Sequence, residues 1–186
     1  MVSNSPMHNR PCVNDCWPIR VPLAKPCVMT AAPEPIRIYI DADACPVKNE
    51  AYKVAVRYGL KVLVVSNSFI MTPRGDWIEQ VVVDSGPDVA DDWIVEQARA
   101  RDIVITNDIP LASRCLEKGA LAIGATGRVF TPDSIGMALA QRGLAEHLRS
   151  TGEITKGPAP FGPNDRSRFL SALDEAVNRA RRMPRR

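Results

Sequence analysis

Histidine is nearly missing from these 186 residues; only His8 and His147 occur. Cys12 and Cys16 have a spacing that suits zinc, but no second Cys or His pair follows at finger-like distance, which argues against a zinc module. No apolar run approaches the roughly 20 residues that cross a bilayer, so no membrane partner is expected. The N-terminus lacks the roughly 7–15-residue apolar stretch of a secretory signal. Cysteine is sparse and odd in number, five in all: Cys12, Cys16, Cys27, Cys45 and Cys115. That pattern fits a reducing cytoplasm, the expected location, better than a disulfide framework.

Charge of one sign is also lacking overall, since 24 Lys/Arg stand against 21 Asp/Glu for a net +3. The layout is uneven. Residues 36–164 carry 14 Lys/Arg and 16 Asp/Glu, whereas residues 165–186 carry seven Arg against Asp165, Asp174 and Glu175. The basic end either contacts phosphates or forms a solvated helix face. Residues 1–35 hold seven of the 16 prolines, and no period survives them. They read as a poorly ordered extension ahead of a single domain over residues 36–186.

From Ile36 onward, strand and helix patterns alternate. Strands are expected at 36–40, 61–66, 81–83, 103–106 and 120–123. Helices are expected from Pro46, with Cys45 at the cap, to Tyr58, and over 89–101, 110–118, 132–148 and 167–181. This alternation predicts a three-layer α/β/α sandwich around a mostly parallel sheet.

Ligands of such sheets bind beyond the carboxyl ends of the strands. Asp41 and Asp108 each follow a strand, Asp43 comes two residues after Asp41, and Asp88, Asp91 and Asp92 open a helix on the same side. Crowded carboxylates repel one another, and a cation relieves them; oxygen ligands of this kind suit Mg²⁺ or Mn²⁺. Capping is the competing explanation for Asp88 and for Asp108. Ser66, Asn67 and Ser68 close the second strand as a phosphate site or a plain turn. Lys156, Arg166 and Arg168 flank the Gly/Pro-rich stretch 157–163, which either folds over the acidic edge or links to the last helix. Cys45 reads as structural or metal-proximal, and His147 as structural.

Four motifs carry a resemblance: DADACPVK, the DVADDWIVE run from Asp88 to Glu96, VITNDIPLA, and GPAPFGPNDRSRFLSALDE. Together they resemble the bacterial YaiI/YqxD family over about Ile36 to Ala176. More distantly the layout is similar to the PIN-like nuclease superfamily. That likeness matches Asp41, Asp91, Thr106 and Asp108 to the superfamily's acidic and threonine positions, with Glu50 as the candidate early-helix glutamate. It implies metal-dependent phosphodiester hydrolysis of nucleic acid, RNA more than DNA. Catalytic roles then fall to Asp41, Asp43, Asp91 and Asp108, and metal roles to Asp41, Asp91, Asp92 and Asp108. Lys48, Ser66, Thr106, Asn107, Lys156, Arg166 and Arg168 would hold substrate or water. Two other readings stay open. IDADACPV also resembles the nucleophile motif of haloacid-dehalogenase-type phosphatases, with Asp41 attacking phosphorus, Asp43 as acid and Ser66 on the phosphate. A degenerate PIN-like domain would bind RNA without cutting it.

Overall fold

This computed structural model describes residues 35–42, 45–86, 88–150 (backbone alone for 145–150) and 161–184. The extension expected over residues 1–35 lies outside them apart from Pro35, as do Asp43 and Lys156. All of the described residues belong to the unit Pro33–Arg186.

Among the described residues, six strands form one sheet: β1 (Arg37–Asp41), β2 (Lys61–Ser66), β3 (Ile78–Val82), β4 (Ile103–Ile105), β5 (Leu121–Ile123) and β6 (Val129–Phe130). Their order is β3-β2-β1-β4-β5-β6, parallel throughout except for the antiparallel β6. Five helices among the described residues flank it: α1 (Lys48–Tyr58), α2 (Val89–Gln97), α3 (Ile109–Glu117), α4 (Pro132–Ser150) and α5 (Pro163–Arg182).

The apolar strands are short and continuous because both of their faces are covered. Ile38, Ile40, Val62, Val64, Ile103 and Ile105 point to one side, against α1 and against Phe169, Leu173 and Val177 of α5. Tyr39, Leu63, Val65 and Val104 point to the other, against Ile94 and Val95 of α2 and Leu111 of α3. A smaller cluster of Ala112, Ala122, Phe130 and Ile135 joins α3, α4 and β6. Each fully buried Val, Leu, Ile or Phe contributes roughly 1.5–3 kcal/mol, so these two layers dominate the stability. The α/β/α sandwich expected from the alternation is the architecture observed.

Several boundaries differ from the expectation. α1 starts at Lys48, not Pro46; Val47, not Cys45, is its N-cap and makes no side-chain cap. Pro46 therefore sits in the turn before the helix rather than inside it. Gly59 ends α1 with φ 63, as its lack of a Cβ permits. α2 stops at Gln97, four residues early. The buried Asp102 explains why: its carboxylate accepts from the N–H groups of Arg99 and Arg37, which pulls the chain out of helix to join β1. β3 begins three residues early, at Ile78, and ends at Val82. β6 is only two residues long and shows no strand period. α5 begins at Pro163, because proline fits the first helical turn and Asp165 reaches back to the Gly162 N–H at 2.9 Å.

Candidate active site at the carboxyl edge

The strand order reverses direction between β1 and β4, the switch point at which open α/β sheets form a crevice. Register then decides which side chains meet there. Ile40 pairs with Ile105, so the next residues, Asp41 and Thr106, stand side by side. The Thr106 hydroxyl donates to Asp41 Oδ2 at 2.8 Å and accepts from the Asp108 N–H at 2.9 Å. Both residues are buried, Asp41 at 8% exposure and Thr106 at 2%. A buried carboxylate is costly unless hydrogen-bonded, and the threonine supplies one of its bonds.

Asp108 does two things at once. One carboxylate oxygen accepts from the Leu111 N–H at 3.1 Å and caps α3. The other meets the Arg142 guanidinium of α4. The capping explanation is therefore correct as far as it goes, but it leaves one oxygen turned toward a cation. Arg142 gives no sign of this role in sequence, because its partner lies on another element 34 residues away.

Asp91, in the first turn of α2, is half-buried and carries the clearest electrostatic signal. Burial first, then the charges of Asp41, Asp108 and Asp88, push its carboxyl from 3.8 up to about 6, with Arg114 opposing. Two segments far apart in sequence, and one acid of its own segment, thus act on one carboxyl. Asp88 stands at the N-cap position of α2, but it makes no side-chain cap and takes a left-handed φ of 61. Capping therefore does not explain it, and its backbone strain sits at the rim of the acidic group. Asp92 turns the other way, to Arg114 of α3 at 2.6 Å.

The remaining candidates divide. Lys48 Nζ donates to the Ala42 carbonyl at 3.1 Å, next to Asp41. Asn107 is exposed beyond β4, where its Oδ1 accepts from the Ala125 N–H at 2.9 Å. The Ser66 hydroxyl is fully buried and donates to the Ser68 carbonyl at 2.7 Å, which makes it a turn-former. Glu50 is buried in the first turn of α1, and Arg166 of α5 approaches it at 3.9 Å. Arg168 is exposed at the start of α5, against the turn at Gly127. Burial pushes the Cys45 thiol up to about 11, against the Val47 backbone bond and Lys48, which disfavours the thiolate a nucleophile needs.

Among the described residues, no three His, Cys, Asp or Glu side chains are gathered tightly enough to enclose a metal ion. Mg²⁺ needs no such cage, since it keeps several waters and uses one or two carboxylates plus substrate phosphate. Asp41 and Asp108, whose charges act on the half-buried Asp91 carboxyl, fit an open oxygen site of that kind and do not fit a closed zinc-type cage.

A family model described as "Uncharacterized BCR, YaiI/YqxD family" matches residues 39–179. The chain is similar to a UPF0178 protein of Caulobacter sp. (strain K31), at 66% identity over 148 residues, covering 80% of this chain and 98% of the relative. It is also similar to UPF0178 proteins of Caulobacter vibrioides (62% identity; 78% and 95% covered) and Azorhizobium caulinodans (58%; 83% and 97%). The matched span runs from β1 to the last turn of α5 and takes in the whole acidic edge, so the chain belongs to the YaiI/YqxD family.

Proposed function

We propose that this protein is a divalent-metal-dependent phosphodiester hydrolase acting on nucleic acid. The likeness to PIN-like nucleases favours RNA over DNA. One observation carries the reading: Asp91 has its carboxyl raised to about 6 by burial and by Asp41, Asp108 and Asp88, at the switch point of the sheet. Repulsion of that kind is costly without a cation and is commonest at functional sites.

One or two of Asp41, Asp91 and Asp108 would hold the ion, with water and substrate phosphate completing its shell, while Asp92 is taken up by Arg114. Magnesium or manganese, when bound, supplies water activation and neutralises charge on the phosphate. The chain's own groups do the positioning. Thr106 fixes the rotamer of Asp41 through its 2.8 Å bond. Arg142 holds the outer oxygen of Asp108. Lys48 beside Ala42, with Arg166 and Arg168 at the start of α5, supplies cations for substrate phosphates.

The test is cleavage of a labelled single-stranded oligoribonucleotide in Mn²⁺ and in EDTA. Cleavage should require the metal and fall at least about 100-fold in Asp41→Asn and Asp91→Asn. Cleavage that survives both substitutions, or that ignores EDTA, overturns the reading.

A further inference from the structure

α1 and α5 lie side by side and run in the same direction. Near their starts Glu50 meets Arg166 at 3.9 Å, and near the end of α1 Tyr58 Oη donates to Asp174 at 2.8 Å. Between them, on the outer surface, is a groove of about 950 Å³. Lys53 and Arg57 of α1 and Arg181 and Arg182 of α5 line it, with Asp174 and Glu175 as its acids.

The acids do not cancel the cations. Asp174 is taken up locally: it accepts from Tyr58, from Asn178 at 3.2 Å and from Arg57 at 3.4 Å. Arg181 lies over the Tyr58 ring at 5.7 Å from its centroid, a stack that fixes the guanidinium and leaves its donors for an anion. Lys53, Arg181 and Arg182 therefore face solvent as a cationic group with Glu175 as the one acid not drawn into these bonds. The start of α1 lies toward the acidic edge, and the Arg181 end of α5 lies toward the amino end of β4, where Arg101 Nε donates to the Ala180 carbonyl at 2.9 Å. Lys48 opens α1 beside Ala42, and at about 1.5 Å per residue Arg57 stands about 13 Å further along the helix, with Lys53 between.

We propose that this groove is a second binding site, which takes the phosphodiester backbone of a single-stranded nucleic acid and leads it toward the aspartates. The ligand class rests on the hydrolase reading above; the groove itself rests on its shape and charge. A single strand fits better than a duplex, because packed helices stand only about 8–10 Å apart and the groove between them is narrower than a double helix. The groove contacts backbone rather than bases, so it adds affinity without sequence preference.

Fluorescence anisotropy of a labelled single-stranded oligoribonucleotide on the full chain, in EDTA, separates the groove from catalysis. Three lost phosphate contacts at about 0.7 each flatten the slope of log affinity against log salt by about 2, or about 100-fold weaker binding near 0.1 M salt. The variant Lys53→Gln/Arg181→Gln/Arg182→Gln should show that loss while keeping the wild-type melting temperature. Lys53→Glu alone, on an exposed side chain, should weaken binding by several-fold and guards against misfolding of the triple variant. If the triple variant binds as the unsubstituted chain does, or if that chain binds no oligonucleotide, the proposal is overturned. A polyglutamate peptide that competes as well as the oligonucleotide overturns the phosphodiester assignment. Binding without metal-dependent cleavage refutes the hydrolase reading alone and leaves the groove standing.

Discussion

Asp91→Asn isolates the repulsion at the candidate site. Burial first, then the charges of Asp41, Asp108 and Asp88, push the Asp91 carboxyl from its ordinary 3.8 up to about 6. A rise of that size corresponds to about 3 kcal/mol for a dry site, and solvent screening at this half-exposed carboxyl brings it to about 1 kcal/mol. The sign follows from proton binding. Below about pH 4 the carboxyl is protonated in both states and contributes nothing. Between about pH 4 and 6 the folded state binds the proton more tightly, so stability falls as pH rises. Above about pH 6 the folded state carries the full cost. Asn removes that cost. Urea melts without metal should therefore show Asp91→Asn more stable than wild type by about 1 kcal/mol at pH 7.5, with the gap closing toward pH 4. In a thermal scan this amounts to about 2–4 °C. Millimolar Mn²⁺ should stabilise wild type at pH 7.5 more than the variant, because the ion favours the ionised carboxylates. A stability gap that does not change between pH 4 and 7.5 would refute the electrostatic reasoning, and with it the main support for a metal at this edge.

Three further outcomes are expected. Thr106→Val should cost about 1–3 kcal/mol in urea melts, since the Asp41 carboxylate and the Asp108 N–H both lose a partner, while Thr106→Ser restores most of it. Gly127→Ala should destabilise by well over the cost of Gly59→Ala. Both have left-handed φ, but a Cβ at Gly127 would lie 2.6 Å from the Arg168 backbone, whereas at Gly59 it meets nothing within 4 Å; equal melting temperatures would contradict this. Cys45 and Cys115, both buried with thiols raised to about 11, should resist iodoacetamide at pH 8 in the native chain, as peptide mass mapping would report.

How much of this was legible in the sequence depends on the range of the forces concerned. β2 was readable to the residue, because KVLVVS is a β-branched run closed by a turn. The carboxyl-edge placement of Asp41 and Asp108 was readable too, since strand ends follow from hydrophobic runs. The pairing of Asp108 with Arg142 was not, nor that of Asp92 with Arg114, because each joins elements whose relative position only the packed core sets. The early end of α2 was hidden for the same reason: its cause is Asp102, which caps a turn and β1 together. Local signals named the acids, and tertiary contacts decided which of them face one another.

The placement of α5 has a consequence for how the chain is made. Phe169, Leu173, Val177 and Ala180 are fully buried against the strand face that Ile38, Val62 and Ile103 also line. During synthesis all six strands leave the ribosome before α5 exists. The part of that face which α1 does not cover is therefore wet and adhesive until the last turns of α5 emerge, which happens seconds after β6 at about 5–20 residues per second. The final helix acts as the closing panel of the domain. A chaperone that shields apolar β-surface would have its period of contact defined by the stretch between Phe130 and Ala180.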